Sequence, residues 1–222
     1  MISVKTVGRD LDTERAFALH YACFGDGREW FDAFLAAADG EKYIAYTIGA
    51  EYIGGMFFLD MTCGAYKGGY IYALCVTPAY RGRGVAAALL REAKRLSPDF
   101  ALICAADELL AETYARHGFD TFVGGTVRAG DAFGARMDTS AFQTPCTYAD
   151  VRGLKLSEKL FLFALSECGG RLCTDGNAVV AKAENGVYGA WGIPPVTEKK
   201  AQMYLRTSMD TSGITADLIL EI

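Results

Sequence analysis

Residues 80–86 read Tyr80-Arg81-Gly82-Arg83-Gly84-Val85-Ala86, and their types and spacing suit the capture of a phosphate group. An apolar run, residues 70–76, lies just upstream, and an amphipathic pattern continues downstream to Leu96. A strand, a glycine-rich turn and a helix N-terminus in that order make an anion cradle. Gly82 and Gly84 carry no Cβ, so the backbone can approach an anion closely. The first N–H groups of a helix have no intrahelical partner and point into the turn. Arg81 and Arg83 add positive charge at the rim. A Walker A loop would end in Gly-Lys-Ser/Thr, which this turn does not. A Rossmann fingerprint would need a glycine where Ala87 stands. One pair of Arg-Gly dipeptides is also too little for an RNA-binding arginine–glycine box, which is low-complexity sequence.

A second constellation follows. After the apolar residues 100–105 comes a helical stretch opening at Asp107, carrying Tyr114, and closing on Gly118 before Phe119 returns to the core. Together the two segments resemble the GCN5-related N-acetyltransferases. Arg81, Gly84 and Ala86 fill that family's Arg/Gln-x-x-Gly-x-Gly/Ala pyrophosphate signature. Tyr114, Gly118 and Phe119 fill its later tyrosine–glycine–phenylalanine motif, with Asp107 where the family more often has asparagine. The resemblance covers roughly residues 1–140 and fades beyond them.

The resemblance implies acetyl-coenzyme A as cosubstrate and direct transfer of its acetyl group to a primary amine of a small molecule or peptide, with no metal. It implies cofactor contacts from Arg81, Gly82, Arg83, Gly84, Val85 and Ala86 around the pyrophosphate, main-chain pairing of Leu74, Cys75 and Val76 with the pantetheine arm, and a contact from Asp107. It also makes Tyr114 the acid that protonates the departing thiolate. A phenol of pKa about 10 can do this for a thiol of about 8.5 when the transfer is concerted. The base is left open. No carboxylate lies in residues 70–76; Glu51, Asp60, Asp107 and Glu108 are near in sequence, Tyr72 could relay a proton, and in tandem-domain relatives the chain terminus, here Ile222, serves. Cys75, with no assignable histidine–carboxylate partner, reads as a small buried residue. The aromatic set Trp30, Phe31, Phe34, Tyr66 and Tyr72 either lines an acceptor pocket or packs the core. A coenzyme A-binding sensor or assembly module without turnover is the alternative from another class.

Composition frames these readings. A chain of 222 residues supports a full core plus an appendage. A net charge of -5 with a sequence pI near 5.1 argues against a nucleic-acid partner and favours a cationic acceptor such as a polyamine, an aminoglycoside or a lysine side chain. Seven scattered cysteines, no leader-like start and no bilayer-length apolar run lead to an expectation of reduced thiols in a bacterial cytoplasm, away from membranes. Cys168 and Cys173 could be half a metal site, but only two histidines, His20 and His117, are present to complete it.

The elements that must position these residues can be placed by pattern. Residues 11–23 and the stretch holding Trp30, Phe31, Phe34 and Leu35 are predicted as helices. Residues 43–48 and 52–61 are predicted as a hairpin about residues 49–51, residues 66–69 as a turn, and residues 70–76 as the central strand. The expected architecture is α/β: a mixed, mostly antiparallel central sheet flanked by helices. Residues 120–137 should add one or two strands. Thr144-Pro145 marks an expected boundary between an acetyltransferase domain, 1–143, and a small α+β accessory domain, 144–222. In the latter, residues 157–167 read as a helix, 178–193 as a hairpin turning at Asn185-Gly186, and 217–221 as a closing strand. The tail resembles a truncated second acetyltransferase half; a module for homo-oligomer contact is the other reading.

Overall fold

The structure, a computed structural model, describes residues 1–122, 143–150, 154–167, 169–177, 179–183, 186–191 and 202–207. Its centre is a mostly antiparallel sheet. The strands are β1 (Ile2–Thr6), β2 (Lys42–Ile48), β3 (Glu51–Cys63), β4 (Tyr66–Val76), β5 (Phe100–Ala105) and β6 (Thr121–Phe122), with β12 (Gln202–Thr207) between β5 and β6. The β4–β5 pair is parallel and its neighbours are antiparallel. Strand β8 (Leu154–Lys155) pairs with the end of β3. A second, four-stranded sheet runs β11 (Gly186–Trp191), β10 (Val179–Ala183), β9 (Arg171–Thr174), β7 (Thr144–Pro145).

Side chains alternate across β3, and that alternation makes two cores. Phe57, Leu59 and Met61 face α1 (Thr13–Phe24) and α2 (Arg28–Ala37), together with α5 (Glu158–Glu167). Met56 and Phe58 face α3 (Val85–Leu96) and α4 (Glu108–Arg116). The helix ends follow local chemistry. Asp12 caps α1, its carboxylate accepting from Arg15 N–H at 3.1 Å, and Gly25 ends that helix at φ 83.

One expectation is revised. Residues 66–69 are strand, and the turn lies at Gly64-Ala65 just before them. Gly68 and Gly69 are needed for close approach: a Cβ on Gly68 would strike Phe100, and one on Gly69 would strike the Phe58 ring. In the tail, β12 completes the N-terminal sheet by pairing with β5 along its whole length, from Gln202 against Ala105 to Thr207 against Phe100. The predicted helix at 157–167 is α5, and β10 and β11 form the predicted hairpin. Most of residues 120–137, Asn185 of the predicted turn, Cys168 and the closing strand at 217–221 lie outside the described residues.

One irregularity in β4 governs the site. Opposite β3, Tyr72 pairs with Phe57 and Cys75 with Gly55, so two β4 residues, Ala73 and Leu74, face Met56 alone. Ala73 sits at φ 53, a left-handed conformation that costs a non-glycine residue about 1–2 kcal/mol. On its other edge β4 stays paired with β5 only from Gly68 to Ile71. Beyond the bulge the two parallel strands part.

Candidate active site

The parting of β4 and β5 opens a cavity of about 180 Å³. Its walls are Tyr70 to Leu74 of β4, Ile103 and Cys104 of β5, Leu110 and Tyr114 of α4, and His20, Phe24 and Asp26 at the end of α1. The cavity therefore reaches from the α4 face of the sheet to the α1 face.

Tyr114 is brought there by α4. Asp107 N-caps this helix, its Oδ1 accepting from Leu110 N–H at 2.7 Å, and Gly118 at φ 77 follows its end. Phe119 then drops into the core, fully buried. These contacts fix the rotation of α4 and aim Tyr114 inward, where it is 7% exposed. Burial, reinforced by the nearby Cys104 and Asp107, pushes its phenol up to about 12, so it carries its proton throughout the physiological range. Asp107, expected at the cofactor, is engaged in this capping bond.

The glycine-rich turn lies at the end of β4. Gly82 and Gly84 have φ 72 and 79, and Gly84 serves as N-cap of α3 without any side-chain hydrogen bond. A Cβ on either would meet nothing, so glycine is required by conformation alone. Residues 81–84 are exposed, Val85 is buried beneath them, and Ala86 is half-buried in the first turn of α3. The leading N–H groups of α3 thus face outward uncapped, as an anion site requires. Arg83 lies over the Tyr80 ring, 5.5 Å from its centre, and Arg81 Nε donates to Val76 carbonyl at 3.1 Å. That bond ties the cradle to the end of the central strand.

Leu74 lines the cavity, whereas Cys75 turns into the protein. Its thiol is hydrogen-bonded with Cys23 and buried, and both effects hold it well above the ordinary thiol range; that of Cys23 is lowered by the same hydrogen bond and, to a lesser degree, by the Arg81 charge. Cys75 is therefore a structural side chain here. Of the expected aromatic set, Phe31 and Phe34 are wholly buried in the α1–α2 core, Trp30 packs on that core, and Tyr66 is exposed at the β3–β4 turn. Tyr72 alone of the five lines the cavity. Asp60 pairs with Lys42 at 2.7 Å away from the cavity, and neither Glu51 nor Glu108 lines it. Ile222 lies outside the described residues.

The pair that sequence reasoning missed is His20 and Asp26. His20 Nε2 lies 2.7 Å from Asp26 Oδ2, and the imidazole is 4% exposed. It stacks on Trp30 with centres 5.6 Å apart and planes 13° apart. Burial lowers its pKa below 6.5, with Asp26 pulling the other way. A histidine followed six residues later by an aspartate has no periodic signature; the helix-ending Gly25 between them was the one available cue.

The model of the Acetyltransferase (GNAT) family matches residues 8–119, half of the chain, and the protein belongs to that family. No curated protein matches it in sequence. Solved structures share the fold. A Pyrococcus horikoshii protein assigned as an acetyltransferase aligns over 97% of this chain and 94% of its own, with 12% identity and a TM-score of 0.58. A GCN5-related N-acetyltransferase from Kribbella flavida aligns over 93% of this chain and 72% of its own, with 12% identity and a TM-score of 0.55. Eis1 from Mycobacterium abscessus gives 16% identity and a TM-score of 0.51 over 81% of this chain, which spans 53% of that longer protein.

Proposed function

We propose that the protein transfers the acetyl group of acetyl-coenzyme A directly to a primary amine of a small molecule or peptide. The observation that carries this reading is the cavity itself, where the freed edge of β4 meets the buried Tyr114; the uncapped start of α3 follows β4 in the chain, beyond the glycine-rich turn. In this account the pyrophosphate rests on the N–H groups of residues 83–86, with Gly82 and Gly84 shaping the turn and Arg81 and Arg83 supplying charge. The pantetheine arm takes the strand position that β5 vacates, pairing with the main chain of Leu74, Cys75 and Val76. The thioester then lies in the cavity, which holds the reactants in attack geometry. The amine nitrogen attacks the thioester carbonyl, the C–N bond forms, and the C–S bond breaks. Tyr114 gives its proton to the sulfur as that bond breaks. A stepwise transfer from a phenol near 12 to a thiolate near 8.5 would be uphill by roughly 4–5 kcal/mol, so the two events are coupled. Asp107 acts by capping α4 and holding Tyr114 in place. We further read residues 144–222 as a small α+β accessory domain attached to this catalytic body, with its strand β12 joining the catalytic sheet.

The test is a heat-denaturation series with acetyl-coenzyme A and coenzyme A, followed by thiol release with spermidine, kanamycin, Nα-acetyl-lysine and 2-phenylethylamine. A ligand that binds only the folded state must raise Tm by mass action. A shift with both coenzymes and thiol release with one amine supports the reading. A shift without turnover on any amine favours a coenzyme A sensor, and no shift removes the cradle assignment.

A further inference from the structure

The cavity's α1 end has polar groups with no part in the chemistry so far. Because an ionised carboxylate can only accept, His20 Nε2 carries the hydrogen in its 2.7 Å bond to Asp26, and the neutral ring keeps a bare lone pair on Nδ1. His20 makes no other hydrogen bond among the described residues. The ring is hemmed by Phe24, Trp30 and Phe31, with centres 4.9, 5.6 and 5.1 Å away. A buried acceptor without a donor is costly, about 1–3 kcal/mol, unless something entering the cavity supplies a hydrogen-bond donor. We propose that His20 is the general base of the transfer and Asp26 the residue that positions it.

The proposal rests on the transferase reading above. Nδ1 takes the proton released by the acceptor nitrogen as it attacks the thioester carbonyl, while Nε2–H stays donated to Asp26. The departing sulfur receives its proton from Tyr114 on the opposite face of the sheet, so base and acid do not exchange roles. Phe24, Tyr70 and Tyr72 beside the dyad suit an amine carried on an apolar or aromatic body.

The groups facing the imidazole can be named element by element. Asp26 follows α1. From β4 comes Tyr72, whose phenol is kept protonated by burial and by the Asp26 charge. The α2 neighbours Trp30 and Phe31 are uncharged, and Glu167 of α5 reaches only the Trp30 indole, accepting at 3.0 Å. The depressed imidazole pKa leaves the ring unprotonated at neutral pH, ready to accept.

The experiment follows thiol release from acetyl-coenzyme A with 2-phenylethylamine across pH. It compares wild type, His20→Gln, Asp26→Asn and His117→Gln, with acetyl-coenzyme A affinity measured for each. His20→Gln should lower kcat by about 10²–10⁴-fold with coenzyme affinity unchanged, and should erase the acid limb of kcat/KM. Asp26→Asn should lower kcat less and shift that limb, and His117→Gln should do neither. The chain has only two histidines, so ¹⁵N spectra of the wild type resolve both imidazoles. His20 should titrate with the pKa of the acid limb. His20→Gln with wild-type kcat and an intact limb overturns the proposal. Should that variant fail to fold, a wild-type His20 that titrates away from the limb overturns it equally. A wild type that binds acetyl-coenzyme A but acetylates none of the four amines overturns the transferase reading, and the dyad with it.

Discussion

The cradle and the α1 end of the cavity are built on opposite principles. The proposed cradle is made of main chain: two left-handed glycines, an uncapped helix start and a strand edge left unpaired beside a bulge. Apart from the charge of Arg81 and Arg83 and the small size of Ala86, its demand is on the backbone path. At the α1 end the groups proposed to work are side chains, an imidazole and a carboxylate held 2.7 Å apart in an aromatic wall. There the backbone can vary so long as two side-chain vectors meet. Tyr114 stands between these cases, a side chain whose aim is set by the caps at both ends of its helix. On the proposed reading, donor recognition is fixed by backbone conformation, and acceptor handling by side chains that α1 and the turn after it hold together.

Substitutions can break or sharpen that contrast. Tyr114→Phe removes only the phenolic hydroxyl from the cavity wall. It should lower kcat by about 10²–10⁴-fold while acetyl-coenzyme A affinity, read by calorimetry, stays put. Ala86→Glu sets a negative charge and bulk against the pyrophosphate. It should weaken acetyl-coenzyme A about 100-fold, equivalent to about 2.7 kcal/mol, with Tm little changed. Gly69→Ala probes the sheet away from both ends: its new Cβ meets the Phe58 ring and should cost about 1–3 kcal/mol in denaturant unfolding, leaving coenzyme affinity intact.

A further prediction concerns pH. Glu41 is buried, accepts from Asp60 N–H at 2.6 Å, and lies outside the cavity; burial raises its carboxyl from 4.5 to about 7. The folded state holds that proton more tightly than the unfolded chain. Its stabilising contribution is thus full below 4.5 and lost as the pH rises through about 7. His20 acts with the opposite sign: its depressed pKa costs stability as the pH falls below 6.5. Glu41→Gln should therefore remove the loss of Tm on the alkaline side while the pH profile of kcat/KM, set by the cavity, does not move.

How much of this could be read from sequence follows from the same contrast. Gly82, Gly84 and Gly118 announced themselves because a left-handed backbone leaves a residue-type signature at the spot, and the fold class followed from strand and helix periods around them. Gly68 and Gly69 misled for a related reason: a glycine that admits a neighbouring ring looks, in sequence, like one that makes a turn. The bulge at Ala73 left no mark, because an alanine there carries its strain silently. The insertion of β12 beside β5 joins segments about a hundred residues apart, which no local pattern encodes. His20 looked like one polar residue on an apolar helix face, since its partner arrives only after α1 ends and the chain reverses at Gly25.

Backbone hydrogen exchange with and without acetyl-coenzyme A is the measurement that meets the central claim most directly. Binding by main chain predicts slowed exchange at Leu74, Cys75 and Val76 and at residues 83–86, with little change along β1 and β2. Slowed exchange elsewhere while these two stretches stay as they were would contradict it.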